Sequence, residues 1–385
     1  MHHFKKDDFF EINKKYFSKI INDENDYLHP SGFLDTDIKT IDSLQNITIN
    51  KSNFIEYHND STSNILEYKS IIKSLFDNWD NNNYSLDELT ICHSVTIGSI
   101  VVLDYLYKKE IKNIIFETPV YYATLIQAEQ MNFNIYKIPS YYDDDFINSL
   151  KIEEKEAKVY WITQPRISLG SNQDIRYIKS IINELREIDY LVIDEATELS
   201  FHSHLSFTSQ YKNKNIIKIR SIFKGMGLNG PRISTIIHPK KMKNDLNLSL
   251  WIYQGGLDIF SLELLKKTCS NINYYKTILE SSLNQVMETK KVLKRHLLGS
   301  NMELSNMENG YIGTLIFNYN NDKTYEENRK LLLSLFSKNR LVVTLSASMN
   351  FAFDEKREYI RLNYYINQEH LVESISVLKT FEKHF

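Results

Sequence analysis

The chain reads as an α/β protein, with a large domain on a mostly parallel sheet flanked by helices and a smaller α+β domain toward the C-terminus. Three observations predict this. From about residue 90 to 240, short apolar runs alternate with segments of helical periodicity, the pattern of a sheet buried on both faces. Beyond Trp251 long amphipathic helices take over, followed by two more strand-like runs and a last helix. The length, 385 residues, also exceeds what a single core ordinarily serves.

The strands are predicted at Asn113–Pro119, Phe133–Pro139, Lys158–Pro165, Asp189–Ala196, Asn215–Ile222 and Arg232–Pro239, each ending at Pro, Gly or a polar turn. Between them Ser99–Glu110, Tyr121–Asn132 and Gln173–Ile188 place apolar residues at i, i+3, i+4 and i+7 and read as helices. The run SIIKSLFDNW before Asn81 reads as another helix, and the acidic YYDDDFINSL, Tyr141–Leu150, as a helix start. In the second domain Gly310–Tyr319 and Tyr359–Ile366 are strands, with a helix from Glu369. The large domain is placed at 51–255 and an interdomain helix with the small α+β domain at 256–385, preceded by an Asn- and Asp-rich segment, 1–50.

Composition excludes several function classes. With 42% hydrophobic and 25% charged residues and a net charge of −3, the chain offers no basic excess for nucleic acid or anionic lipid. The N-terminus has charges where a signal peptide needs its apolar stretch, and no apolar run is long enough to span a bilayer, so a cytoplasmic protein is expected. Cys92 and Cys269 predict buried free thiols rather than a disulfide framework. His202 and His204 lack a third ligand, and no metal site is predicted.

The stretch SIFKGMGLNGPRIS, Ser221–Ser234, matches G-x-G-x-x-G at Gly225, Gly227 and Gly230. A dinucleotide loop opens a helix, because the pyrophosphate rests on unpaired N–H groups at the helix start. Here Pro231 and another strand follow, so the glycines serve something else. In an open α/β sheet, ligands bind beyond the carboxyl ends of the strands. Gly98, Ser99, Pro119, Tyr121, Gln164–Gly170, Asp194, Ser221, Lys224 and Arg232 all fall at such ends.

The order and spacing of these residues resemble the class I/II aminotransferases of fold type I, which use pyridoxal 5'-phosphate. The resemblance covers about residues 50 to 385 and is sharpest at S-x-x-K followed eight residues later by Arg, with GL-x-G between: Ser221, Lys224, Gly227, Leu228, Gly230 and Arg232. It implies that Lys224 forms a Schiff base with the cofactor aldehyde. Ser221 and Arg232 are then phosphate ligands, together with Gly98 and Ser99 in a cup at a helix start. Asp194, in DEA at a strand end, matches the aspartate that pairs with the pyridine nitrogen, and Tyr121 the aromatic that stacks on the ring. Arg361 matches the arginine that clamps the substrate carboxylate, and Tyr57 the tyrosine that reaches the neighbouring subunit's phosphate in a homodimer. Segment 1–50 would contribute to the small domain and the substrate pocket. Amino acids and 2-oxo acids are the implied substrates.

The chain departs from the pattern at the cofactor's 3'-oxygen. QPRISLG replaces the usual N-P-x-G-like sequence, and Thr197 stands where a tyrosine is usual, leaving Gln164, Ser168 and Thr197 as substitutes. An aminotransferase is the primary reading. Elimination, cyclisation or oxidation on the same scaffold is the alternative that this departure suggests, and a non-catalytic cofactor-binding protein is the third.

Overall fold

The computed structural model describes residues 28–30, 47, 49, 58, 63–139, 155–228, 230–319, 322–345 and 356–385. Tyr57 and the acidic stretch 141–150 lie outside them. The chain divides into two compact units, a larger one of Ile38–Arg166 and Asn172–Leu283, and a smaller one that takes Ile167–Ser171, Asn284–Phe385 and the described residues 28–30.

The larger unit holds a seven-stranded sheet. Its strands are β1 (Leu89–Cys92), β2 (Asn113–Thr118), β3 (Asn134–Pro139), β4 (Lys158–Thr163), β5 (Tyr190–Glu195), β6 (Ile216–Ser221) and β7 (Ser234–Ile237), in the order β1-β7-β6-β5-β4-β2-β3. Neighbours from β6 to β3 are parallel, and β7 runs against both β6 and β1. Side chains alternate between two buried faces, as expected of parallel strands covered on both sides. Ile114, Phe116, Val159, Trp161 and Val192 meet α2 (Val95–Lys108), α3 (Tyr122–Gln130) and α5 (Lys243–Tyr253). Ile115, Tyr160, Ile162, Leu191 and Ile193 meet α4 (Ile175–Glu184) on the other face. Its start is capped by Asp174, whose carboxylate accepts the Arg176 N–H at 2.8 Å.

The two units divide at 283/284, inside the helix α7 (Ile272–His296). The reason is packing. Leu262 and Leu265 of α6 (Ile259–Cys269) and Tyr275, Ile278 and Leu279 of α7 belong to one apolar cluster with Ile72, Leu75 and Phe76 of α1 (Leu66–Asp80) and with Leu89, Ile91 and Ile237 of the sheet. Amphipathic texture alone does not say which core a helix joins.

The smaller unit has an antiparallel sheet of β8 (Met302–Leu304), β9 (Ile312–Asn318) and β10 (Arg357–Asn363), ordered β10-β9-β8, with α8 (Tyr325–Lys338) and α9 (Gln368–Lys379). Leu28 adds an isolated parallel bridge to Leu341.

Candidate active site

The chain order of the large sheet reverses between β2 and β4. After β2 the chain adds β3 on one side, then returns to place β4, β5 and β6 in turn on the other. Ligands bind at such a switch point, beyond the carboxyl ends of the strands. The strand ends there carry Tyr121 after β2, Gln164 after β4, Asp194 one residue before the end of β5, Ser221 at the end of β6 and Lys224 three residues beyond it.

Lys224 opens a short 3-10 turn, Lys224–Met226, three residues beyond Ser221, whose Oγ accepts the Lys224 N–H at 3.3 Å. Two glycines shape this turn. Gly227 closes it with φ +75°, a left-handed conformation that side chains disfavour. Gly225 has no room for a side chain: a Cβ there would stand 2.7 Å from Leu279 Cδ2 and 3.3 Å from the Glu198 carbonyl oxygen. The Tyr275 hydroxyl donates to the Ile222 carbonyl at 2.7 Å and ties the same turn to α7.

Asp194 is buried, and burial raises its carboxyl to about 6. The Lys224 ammonium and the Ala196 N–H, which donates to Oδ1 at 2.9 Å, act against that rise, and Glu195 adds to it. Lysine and aspartate thus share one electrostatic environment at adjacent strand ends. A carboxylate left this far above its ordinary range favours a further cationic donor, which a protonated ring nitrogen would be. The donor set therefore fits pyridoxal 5'-phosphate.

Beneath the site lies a cluster of buried charge. Arg220, one residue before Ser221, is fully buried, with Nη2 3.0 Å from Asp80 Oδ1 and 2.5 Å from Glu195 Oε2. Its guanidinium lies over the rings of Phe76 and Trp79, at 4.8 and 4.7 Å. Lys218 adds a second cation 3.4 Å from Asp80 Oδ2. Burial alone would raise Asp80, but Arg220 and Lys218, with the Tyr84 hydroxyl, hold it at about 2. The ends of β5 and β6, which carry Asp194 and Ser221, are clamped by this cluster.

Several sequence-predicted residues take other places. Gly98 lies in the second turn of α2, not at its start. Its N–H is already given to the Ser94 carbonyl at 2.8 Å, and a Cβ would stand 3.0 Å from Ile219 Cγ2, so the glycine lets the helix approach the sheet. Ser99, beside it, is buried. The helix starts at Ser94, whose Oγ accepts the Ile97 N–H at 3.2 Å, so Val95 and Thr96 hold the first-turn N–H groups. Gln164 is fully buried and its amide is engaged on the protein: Nε2 donates to Asn172 Oδ1 at 2.8 Å and to Glu198 Oε2 at 3.0 Å, and Oε1 accepts the Gln173 N–H at 3.0 Å. As a substitute contact to the cofactor's 3'-oxygen it is not available in this arrangement. Thr197 is buried one residue before Glu198. Ser168 belongs to the smaller unit, where its carbonyl accepts from the Thr314 hydroxyl.

Tyr121 is half-buried at the start of α3, its ring 4.9 Å from that of Tyr122. Arg232 is exposed, and its N–H donates to Ser261 Oγ at 3.1 Å. Arg361 is half-buried in β10 of the smaller unit, opposite Thr314, with its N–H on the Thr344 carbonyl at 2.9 Å. Burial raises the Tyr311 phenol to about 12, and the Arg361 charge opposes that rise.

Sequence reading missed Glu117, Gln173 and Glu198. Gln173 Nε2 donates to Glu117 Oε2 at 2.7 Å and to the Thr163 carbonyl at 2.9 Å. Burial lifts Glu117 to about 7, with Arg166 and the Gln173 amide acting against it. For the ionic cluster a signal was available: Lys218 and Arg220 alternate within an otherwise apolar strand, which puts both on one buried face. For Glu198 there was none.

Comparison with solved structures bears on the fold. A Thermus thermophilus aspartate aminotransferase single mutant superposes with a TM-score of 0.80, covering 98% of this chain and 97% of its own at 12% identity. The chain has the aminotransferase fold. A Staphylococcus aureus aminotransferase shares it (TM-score 0.72, 15% identity, 94% and 95% of the two chains), as does Escherichia coli YbdL, a structure titled for a methionine aminotransferase function (TM-score 0.75, 11% identity, 96% of each chain). No sequence-family model and no curated protein matches the chain. Within the aminotransferase fold, no helix among the described residues is long and apolar enough to cross a membrane.

Proposed function

We propose that the protein is a pyridoxal 5'-phosphate enzyme acting on an amino acid, with transfer of the amino group to a 2-oxo acid as its reaction. The observation that carries this reading is the placement of Lys224 and the buried Asp194 at adjacent strand ends of the aminotransferase fold, where the lysine's charge acts on the carboxyl. Bound, the cofactor would supply an aldehyde carbon for the substrate amine and a ring that draws electrons from the substrate Cα. The protein's own residues do the rest. The Asp194 carboxylate holds a proton on the ring nitrogen, and the Lys224 amine moves a proton to and from the substrate Cα. Ser221, Arg232 and the first-turn N–H groups of Val95 and Thr96 hold the phosphate, a revision of Gly98 and Ser99 that follows from where α2 begins. Tyr121 covers one ring face, Thr197 donates to the 3'-oxygen, and Arg361 grips the substrate carboxylate with its planar fork.

A homodimer fits an exposed apolar stripe on α5. Leu248, Trp251 and Ile252 share one helix face at 58%, 48% and 65% exposure, and Phe260 at the start of α6 is 57% exposed. Such a stripe is what a second copy would cover.

The engagement of the Gln164 amide favours one second reading on the same scaffold, elimination, cyclisation or oxidation, because it removes one of the substitute donors to the 3'-oxygen. Mixing loaded protein with single amino acids, anaerobically and in air, separates the outcomes. One equivalent of 2-oxo acid per site followed by a halt marks amino transfer. Continued turnover without an acceptor marks elimination, and turnover that needs oxygen marks oxidation.

A further inference from the structure

Gln164 touches three elements of the site at once. Its N–H donates to the Asp194 carbonyl at 2.8 Å, its Nε2 donates to Glu198 Oε2 at 3.0 Å, and its Oε1 receives the Gln173 N–H at 3.0 Å. The Glu198 backbone lies beside the turn that Lys224 opens. Glu198 Oε1 accepts the Ser200 N–H at 2.9 Å, while its carbonyl oxygen packs 3.3 Å from where a Cβ on Gly225 would sit, next to Lys224. Hydrogen bonds therefore run from the Asp194 carbonyl through Gln164 to Glu198, whose backbone borders the Lys224 turn closely enough that a side chain on Gly225 would press on it. Both side chains are buried, so water does not exchange for either partner.

We propose that Gln164 and Glu198 are a positioning pair that holds the Lys224 turn at a fixed separation from Asp194. The inference rests on the cofactor reading above, because that separation matters only if both residues address one bound ring. Burial pushes the Glu198 carboxyl up to about 8, against the Ser200 N–H and the Gln164 amide. A glutamine has the shape of the uncharged acid and can take its place.

The pair makes an exchange test possible. In Gln164→Glu two acids face each other, in Glu198→Ala the partner is gone, and in the double variant Gln164→Glu with Glu198→Gln the acid and the amide change places. Each purified protein is stripped of cofactor and mixed with pyridoxal phosphate, and the rise of the visible band, its pH midpoint and thermal stability are recorded. Thr268→Val, which removes a buried hydrogen bond to Leu264 in α6, serves as a control for lost stability alone.

Gln164→Glu and Glu198→Ala are expected to slow capture by about tenfold or more and to shift the pH midpoint, since a small misplacement of reacting groups has such effects. The exchanged double variant should recover both, and Thr268→Val should lower only the melting temperature. Equal capture and midpoint in all variants of a loaded parent overturn the pair, as does an exchanged variant no better than Gln164→Glu. A parent that takes up no pyridoxal phosphate overturns the cofactor reading and the pair's role with it.

Discussion

Arg220 and Glu195 face each other across β6 and β5, and Nη2 of the arginine lies 2.5 Å from Oε2 of the glutamate with both side chains fully buried. The same guanidinium reaches Asp80 at 3.0 Å. A buried cation between two carboxylates is fully effective only while all three remain. Arg220→Met should cost about 3–5 kcal/mol of unfolding free energy, because it leaves buried negative charge uncompensated. Urea denaturation checks it, and a loss under about 1 kcal/mol would mean that water replaces the arginine.

The cluster also gives the fold an acid limit. Asp80 is held at about 2 against an ordinary 3.8, so it is a depressed carboxylate. Its contribution is complete above 3.8 and is lost as pH falls toward 2. Asp80→Asn should be less stable than the parent at neutral pH, and the difference should narrow as the two are titrated below pH 3.8. A constant gap down to pH 2 would contradict the assignment.

Gly225→Ala places a methyl 2.7 Å from Leu279 Cδ2 and 3.3 Å from the Glu198 carbonyl oxygen, so the buried Leu279 side chain or the turn must give way. A stability loss of about 1–3 kcal/mol is expected, with weaker cofactor binding since Lys224 is the adjacent residue. Leu279→Val in the same chain removes part of the obstruction and should restore cofactor affinity. Denaturation and cofactor titration of the single and double variants decide it, and a double variant no better than Gly225→Ala places the strain elsewhere.

Two glutamates at Trp251 and Ile252 would put charge on the exposed face of α5. Light scattering of the parent should give twice the chain mass, and the double variant the mass of one chain. A monomeric parent removes the dimer, while a dimeric double variant moves the interface to another face.

The strand ends were legible because a buried parallel strand is an unbroken apolar run, and the residue that ends it is polar. Asp194 after YLVI and Lys224 after the β6 run could be located in this way. Three things were not legible. Gly98 looked like a phosphate residue, yet its missing side chain serves packing on Ile219, a contact between distant segments. Gln164 stood where a cofactor contact was wanted, and only the fold reveals that Glu198, Asn172 and Gln173 already occupy its amide. The four-residue β1 is too short to show a period, and its place beside β7 comes from long-range pairing.

Whether Lys224 carries the cofactor is read directly by reducing the bond between them. Protein loaded with pyridoxal phosphate would be treated with borohydride, digested, and its peptides mapped by mass. The pyridoxyl group is expected on Lys224, with no labelling in Lys224→Ala. A label on any other lysine, or none on a protein that binds the cofactor, would contradict it.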